Sequence, residues 1–162
     1  LAFAGDSRGS SPAVAFEYLL APVVVLGVAR NEELGGMTAA WVTRVSNQPP
    51  LVLAAVGHRR YTHELLTTVD AFTISILGED QAATGRLFGL HGRRERDKWA
   101  EVEHVLMGAG VPALARCSAR MLCAVRDRLP LGDHTGFVGE VVLGEVVSGD
   151  RPLPLRLDDY RL

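Results

Sequence analysis

The chain has 162 residues, 48% hydrophobic and 22% charged, enough for one domain that buries a core without staples. Its 17 Lys and Arg against 19 Asp and Glu leave a formal charge of -2, which gives no electrostatic case for a nucleic-acid or anionic-membrane partner. No apolar run reaches the about 18 residues needed to span a bilayer.

Residues 1–11 read as a loose tail, without the basic start of a signal peptide. Ser11-Pro12 is a helix-start signal, and a short helix to about Leu20 is expected to carry Phe16, Leu19 and Leu20 inward. "PVVVLGVAR" reads as a buried strand, "NEELGG" as a hairpin turn, Met37–Ser46 as the next strand and Leu51–Val56 as a third, apolar on both faces. "THELLTTVD" predicts a helix opening at Thr62. "AFTISILG" predicts a strand, and "EDQAATGRLFG" a helix with Leu87 and Phe88 inward. "LHGRRERDKWAEV" is expected to be a solvated, irregular loop. "CSARMLCAVRDRLPLGDHTGFVGEVVLGEVVS" predicts two long strands joined around Leu129–Asp133. Strands spaced by turns, with helices as excursions and no βαβ rhythm, argue a β-barrel with helical decoration.

Cys117 and Cys123 share the odd positions of one strand-like run. Six strand residues span about 20 Å, and a disulfide needs Cα atoms within about 7 Å, so the two thiols cannot pair along one straight strand. Free thiols suit a reducing cytoplasm. The absence of CxxC and the scattered histidines argue against zinc.

Three stretches could carry chemistry. In "GGMTAAWVTRVSNQPPL" strand alternation places Met37, Ala39, Trp41, Thr43 and Val45 on one face and Thr38, Ala40, Val42, Arg44 and Ser46 on the other. The second face is small and polar, open to a flat ligand, and Ser46, Asn47 and Gln48 leave it before Pro49-Pro50, with backbone N–H groups free for an anion. By pattern alone the stretch reads first as an ordinary half-exposed strand. "GHRRYTHELL" runs a basic turn, with Arg59 and Arg60, into a helix start at Thr62; this suits a phosphate or a plain solvated turn. In "LPLGDHTGFVGEV" a tight Gly132-Asp133 turn presents His134 at the start of a strand, where it could touch a ligand or simply be solvated. "GAGVPA" mimics a dinucleotide fingerprint but lacks a preceding strand, and Pro112 falls where a helix should start. No GxSxG elbow is present.

Taken together, "GGMTAAWVTRVSNQPPLVLAAV", "YTHELL", "FTISILGEDQ", "DKW" and "DRLPLGDHTGFVGEV" resemble, in order and spacing, the short-chain flavin reductases with the FMN-binding split-barrel fold. These are the reductase components of two-component flavin-dependent monooxygenases. The resemblance implies a single domain over 1–162, mainly β with short helices, forming a homodimeric split β-barrel in the cytoplasm. It implies hydride transfer from NADH, or NADPH, to FMN or FAD, and delivery of reduced flavin to a partner oxygenase. It places Met37, Thr38, Ala39, Trp41 and Ala54 near the flavin ring. Ser46, Asn47, Gln48, His58, Arg60 and Thr62 would lie near ribityl and phosphate, Tyr160 near the cofactor, and His134 beside the nicotinamide. Thr38 and Trp41 fall on opposite strand faces, which a bulge at Gly35-Gly36 or a site at a dimer interface would reconcile. The pattern departs from the family at Arg60, where a Ser is usual, at "LAPVVVL" in place of TGV, and at Leu155-Arg156 in place of an aromatic-His pair. A non-enzymatic flavin carrier or sensor of this fold, and a pyridoxamine-phosphate-oxidase-like enzyme, are the competing readings.

Overall fold

The computed structural model describes residue 16 and residues 18–92 and 96–160. Its centre is a seven-stranded antiparallel sheet. In chain order the strands are β1 (Val24–Arg30), β2 (Glu33–Ala39), β3 (Val42–Asn47), β4 (Pro50–Gly57), β5 (Ala71–Ile76), β8 (Ala119–Leu131) and β9 (His134–Val146). They lie side by side as β2-β1-β5-β8-β9-β4-β3. A separate hairpin, β6 (His104–Met107) with β7 (Val111–Leu114), packs on β1 and β5. Among the described residues, two short helices, α1 (Tyr61–Leu66) and α2 (Ala82–Leu90), and 3-10 turns at Lys98–Glu101 and Leu157–Tyr160 accompany the sheets. The expected mainly-β architecture holds. The expected barrel is not closed, because β2 and β3 remain the two edges of the sheet.

Those edge strands are consecutive in the chain and only Ala40 and Trp41 separate them. The sheet therefore curls until its two edges meet at this corner. There the Ala55 N–H donates to the Trp41 carbonyl at 2.9 Å and the Val42 N–H to the Ala40 carbonyl at 2.9 Å. This corrects the reading of Met37–Ser46 as one strand. The two-residue corner shifts the phase of alternation: Met37 and Ala39 pack on the core before it and Val42 after it, while Trp41 and Val45 are exposed. The bulge expected at Gly35-Gly36 is absent, since both glycines pair in regular register with Val28 and Gly27; the register shift lies instead between Arg44 and Ser46. The glycine pair serves close packing. A Cβ on Gly35 would stand 2.4 Å from Leu65 Cδ1 and one on Gly36 2.9 Å from Trp99 Cζ2.

β1 is buried on both faces, as its apolar run predicts. Val24, Leu26 and Val28 join Phe72, Ile74 and Phe137 inside the curl, where α1 adds Leu65 and Leu66. Val23 and Val25 face the opposite layer with Phe88, Trp99 and Leu114. β4 differs from expectation: Val52, Ala54 and Val56 are buried, but Leu51, Leu53 and Ala55 on its other face are only half-buried. The hairpin turn also contracts to Asn31-Glu32, because Glu33 already pairs with Arg30. Asn31, with φ 57°, takes the left-handed position that Asn tolerates. The β8–β9 turn is Gly132-Asp133 alone, with Leu131 paired to His134. "GAGVPA" joins two strands of a hairpin, so a strand does precede it, and what excludes a dinucleotide fingerprint is the strand that follows.

The helix expected over 11–20 falls mostly outside the described residues. Phe16, Leu19 and Leu20, expected inward, are exposed because no described element covers them. The loop expected to be solvated around Lys98 instead turns inward, burying Lys98 and Trp99. The ammonium is accommodated by backbone oxygens: Lys98 Nζ donates to Gly36 at 2.8 Å, His91 at 3.0 Å and Phe88 at 3.4 Å. Both cysteines are free and buried; burial pushes the Cys123 thiol up to about 12. No described helix is long and apolar enough to cross a membrane.

Candidate functional site

A cleft with three adjoining lobes opens at the curled corner. The first lobe, ≈ 620 Å³, lies between the His58–Glu64 segment and the end of α2. The second, ≈ 560 Å³, lies between Met37–Trp41 and the His134 turn. The third, ≈ 410 Å³, lies between Thr38–Ala40, Leu90 and Tyr160. Each lies within the size range of small-molecule sites, about 300–1,000 Å³.

Local chemistry explains these positions. The turn after β4 is held to the β8–β9 turn, because the His58 N–H donates to the Asp133 carbonyl at 3.0 Å and Gly57 pairs with His134. Asp133 Oδ1 accepts from His134 Nδ1 at 2.6 Å, an interaction that holds the Asp133 carboxyl below its ordinary range. The Trp41 ring covers the imidazole at 4.6 Å between centroids, tilted by 34°. His63 Nε2 meets Thr135 Oγ1 at 2.8 Å. Burial, then the neighbouring His58 and His134, lower the His63 pKa below the ordinary imidazole value. Tyr61 anchors the start of α1 by donating to Glu33, which also takes Arg30 at 3.2 Å.

Sequence reasoning placed the helix start at Thr62, but Arg60 occupies the cap position and makes no side-chain cap bond, while Thr62 is buried one residue into the helix. Neither the Arg59 nor the Arg60 guanidinium has a hydrogen-bond or ion-pair partner among the described residues. Of the five histidines, His58, His63, His91 and His134 all border the cleft. The two guanidinium groups, unpaired among the described residues, suit an anionic ligand.

Met37, Thr38, Ala39, Trp41, His58, Arg60, Thr62, Tyr160 and His134 therefore border one continuous cleft. Thr38 and Trp41 share the second lobe because the corner, not a bulge, turns Trp41 round. The Thr38 hydroxyl is engaged, donating to the Gly85 carbonyl of α2 at 2.6 Å. Ala54 sits in the core at 0% exposure, and its neighbour Ala55 lines the second lobe in its place, as alternation along β4 requires. Ser46 and Asn47 are not brought to this cleft; they border a separate, mostly apolar groove with Leu51, Met121 and Val146. Gln48 is exposed in the turn between β3 and β4. Reading the sequence missed Asp133, His63, Lys98 and Leu90. Asp133 was legible as the neighbour of His134; the others are set by packing between distant segments.

The fold and cleft define the class: a mainly β protein whose curled antiparallel sheet carries a small-molecule-sized cleft at its corner. The chain belongs to the family described as the flavin reductase like domain, whose model matches residues 16–161. It is 38% identical over 122 residues to an NADH-dependent FAD reductase of Streptomyces globisporus, covering 74% of this chain and 65% of that protein. It is 35% identical over 130 residues to the reductase component of a 4-nitrophenol 4-monooxygenase/4-nitrocatechol 2-monooxygenase of Rhodococcus opacus, covering 79% of this chain and 67% of that protein. The chain thus spans about two thirds of the length of these relatives. Its fold superposes on the NADH:FAD oxidoreductase of Streptomyces globisporus, solved with NAD and FAD fragments, at a TM-score of 0.83 and 31% identity, covering 99% and 94% of the two chains. An FMN-binding protein of Thermus thermophilus matches at 0.80 and 29%, covering 93% and 86%.

Proposed function

We propose that the protein is an NADH-dependent flavin reductase that supplies reduced FMN or FAD to a partner monooxygenase, acting as a cytoplasmic homodimer. The observation that carries this is the second lobe, where the Trp41–His134 stack stands over small side chains beside unpaired Arg59 and Arg60. That combination fits a flat ring with an anionic tail. A bound flavin would supply the acceptor for a hydride from reduced nicotinamide.

The chain's residues position and shield. Thr38, Ala39 and Ala40 form a floor of short side chains, so a ring can lie close to the backbone. Asp133 and Trp41 fix the His134 imidazole in one plane, which lets it pack a nicotinamide ring without reorganising. Arg59 and Arg60 counter phosphate charge, and a guanidinium at 60 does so bidentately. His63, hydrogen-bonded to Thr135 and with its pKa lowered by burial, adds a polar wall. The homodimer reading rests on uncovered apolar residues of β3 and β9: Val45, Val142, Leu143 and Val146 are each 46–79% exposed.

Purified protein mixed with NADH and either FMN or FAD is expected to oxidise the nucleotide catalytically, read at the nicotinamide absorbance band. His134→Ala is expected to raise KM for NADH or lower kcat while the flavin titration is unchanged. Flavin binding without turnover would identify a carrier instead. Light scattering on a sizing column tests the dimer.

A further inference from the structure

His134 stands at the tip of a hairpin. β9 begins with it, directly after the exposed two-residue turn Gly132-Asp133. A strand end of this kind opens locally unless side chains hold it. Alternation gives the two faces of this end different neighbours. His134 and Gly136 share a face with their β4 partners Gly57 and Ala55, and on that face the Trp41 ring lies against the imidazole. Thr135 and Phe137 share the opposite face with their partners Val56 and Ala54, and there the neighbour is His63 of α1. His63 Nε2 meets Thr135 Oγ1 at 2.8 Å, and its ring stands edge-on to Phe137 at 5.7 Å between centroids. The same ring stands edge-on to His58 at 5.0 Å. His58 belongs to the connector from β4 to α1, and its N–H donates to the Asp133 carbonyl.

One imidazole therefore touches the strand that follows His134 and the connector whose backbone holds the turn that precedes it. Phe137, at 0% exposure, gives that imidazole a fixed wall, and the Thr135 hydroxyl gives it a direction. We propose that His63 is a positioning residue for the reductase reaction: through Thr135 it sets the His134 end of β9 against the cleft, and with it the place of the His134 ring. This rests on the reading of His134 given above and deepens it. His63 borders the first lobe and His134 the second, so His63 acts on the nicotinamide through the strand and not by contact. Hydride transfer needs its reacting atoms about 3–3.5 Å apart, so a small displacement of a packing ring is felt in the rate.

A double-mutant cycle tests it, read as NADH oxidation with saturating flavin. Thr135→Val keeps the side-chain shape and removes the hydroxyl, and His63→Leu removes the ring nitrogen. Each is expected to lower kcat/KM for NADH about fivefold while the flavin titration stays within about twofold. His63→Gln, whose amide offers Thr135 a hydrogen bond again, is expected to return to within about twofold of the unaltered protein. In a His134→Ala background, Thr135→Val is expected to cost less than about twofold more, because nothing is left to position. Where His63→Leu does not fold, Thr135→Val decides. Unchanged kcat/KM in Thr135→Val overturns the proposal. So does a full fivefold loss in the His134→Ala background, which marks a general structural role, and so does flavin binding that weakens in step with kcat/KM. Unchanged kinetics in His134→Ala itself overturn the role of His134 together with this proposal, while NADH turnover by the unaltered protein still carries the reductase reading.

Discussion

Thr38→Val separates a ligand contact from a structural one. The Thr38 hydroxyl donates to the Gly85 carbonyl at 2.6 Å and so joins β2, the floor of the cleft, to α2, its wall. Valine keeps the shape and removes the donor. A neutral hydrogen bond of this kind contributes about 0.5–1.5 kcal/mol net. The acceptor is not orphaned, because a helical carbonyl also faces the N–H four residues on. The extra methyl group adds a little apolar burial at a half-buried position. The loss is therefore about 1 kcal/mol, which for a domain of this size lowers Tm by about 2–4 °C. Because the hydroxyl is already committed as a donor, flavin affinity is expected to change by less than about threefold. Thermal unfolding without ligand and a flavin titration of the same preparation check both halves. An unchanged Tm with tenfold weaker flavin would refute the reasoning, since the hydroxyl would then serve the ligand and not the wall.

Lys98→Met removes an ammonium shared by three carbonyls and leaves those oxygens short of a donor; it is expected to cost about 2–4 kcal/mol in denaturant unfolding, and a variant of unchanged stability would contradict this. His63 has a pKa below that of the unfolded chain, so the unfolded state takes up its proton first. Its share of the stability is complete at neutral pH, falls as the pH drops below the ordinary imidazole range, and levels off once the folded protein also binds the proton; His63→Gln should flatten that part of the pH-stability curve. The Cys123 thiol, at 0% exposure and pushed up to about 12, should resist a thiol reagent in the native state and react on unfolding. Rapid native labelling at Cys123 would show that β8 opens locally.

Much of the fold was legible because it rests on local rules. The apolar run of β1, the β-branched run of β5 and the Gly-Asp turn ahead of His134 each appear where their patterns predict them, since strand periodicity and turn preferences act within a few residues. The long Met37–Ser46 strand was misread for a physical reason: "TAAWVT" has unbroken strand character, and nothing local marks Ala40-Trp41 as a corner. The corner exists because Ala55 and Trp41 bond across segments, a contact that no window of sequence contains. Lys98 was misread likewise, because a charged loop turns inward only when two distant segments, Gly36 of β2 and Phe88 and His91 at the end of α2, supply carbonyl oxygens.

By itself the sequence determined the strand-rich character, the two free thiols, and a family whose motifs name residues 37–41, 58–62 and 134. Those motifs lie far apart along the chain. The sequence did not determine which of the named residues meet. Tertiary structure decided that Thr38 and Trp41 share one lobe, that Ala55 rather than Ala54 faces it, that Ser46 and Asn47 lie on another groove, and that Arg60 borders all three lobes of the cleft. The physical reason is the curl of the sheet. Consecutive strands occupy its opposite edges, so the cleft forms at the corner where the curled but unclosed sheet brings those edges together.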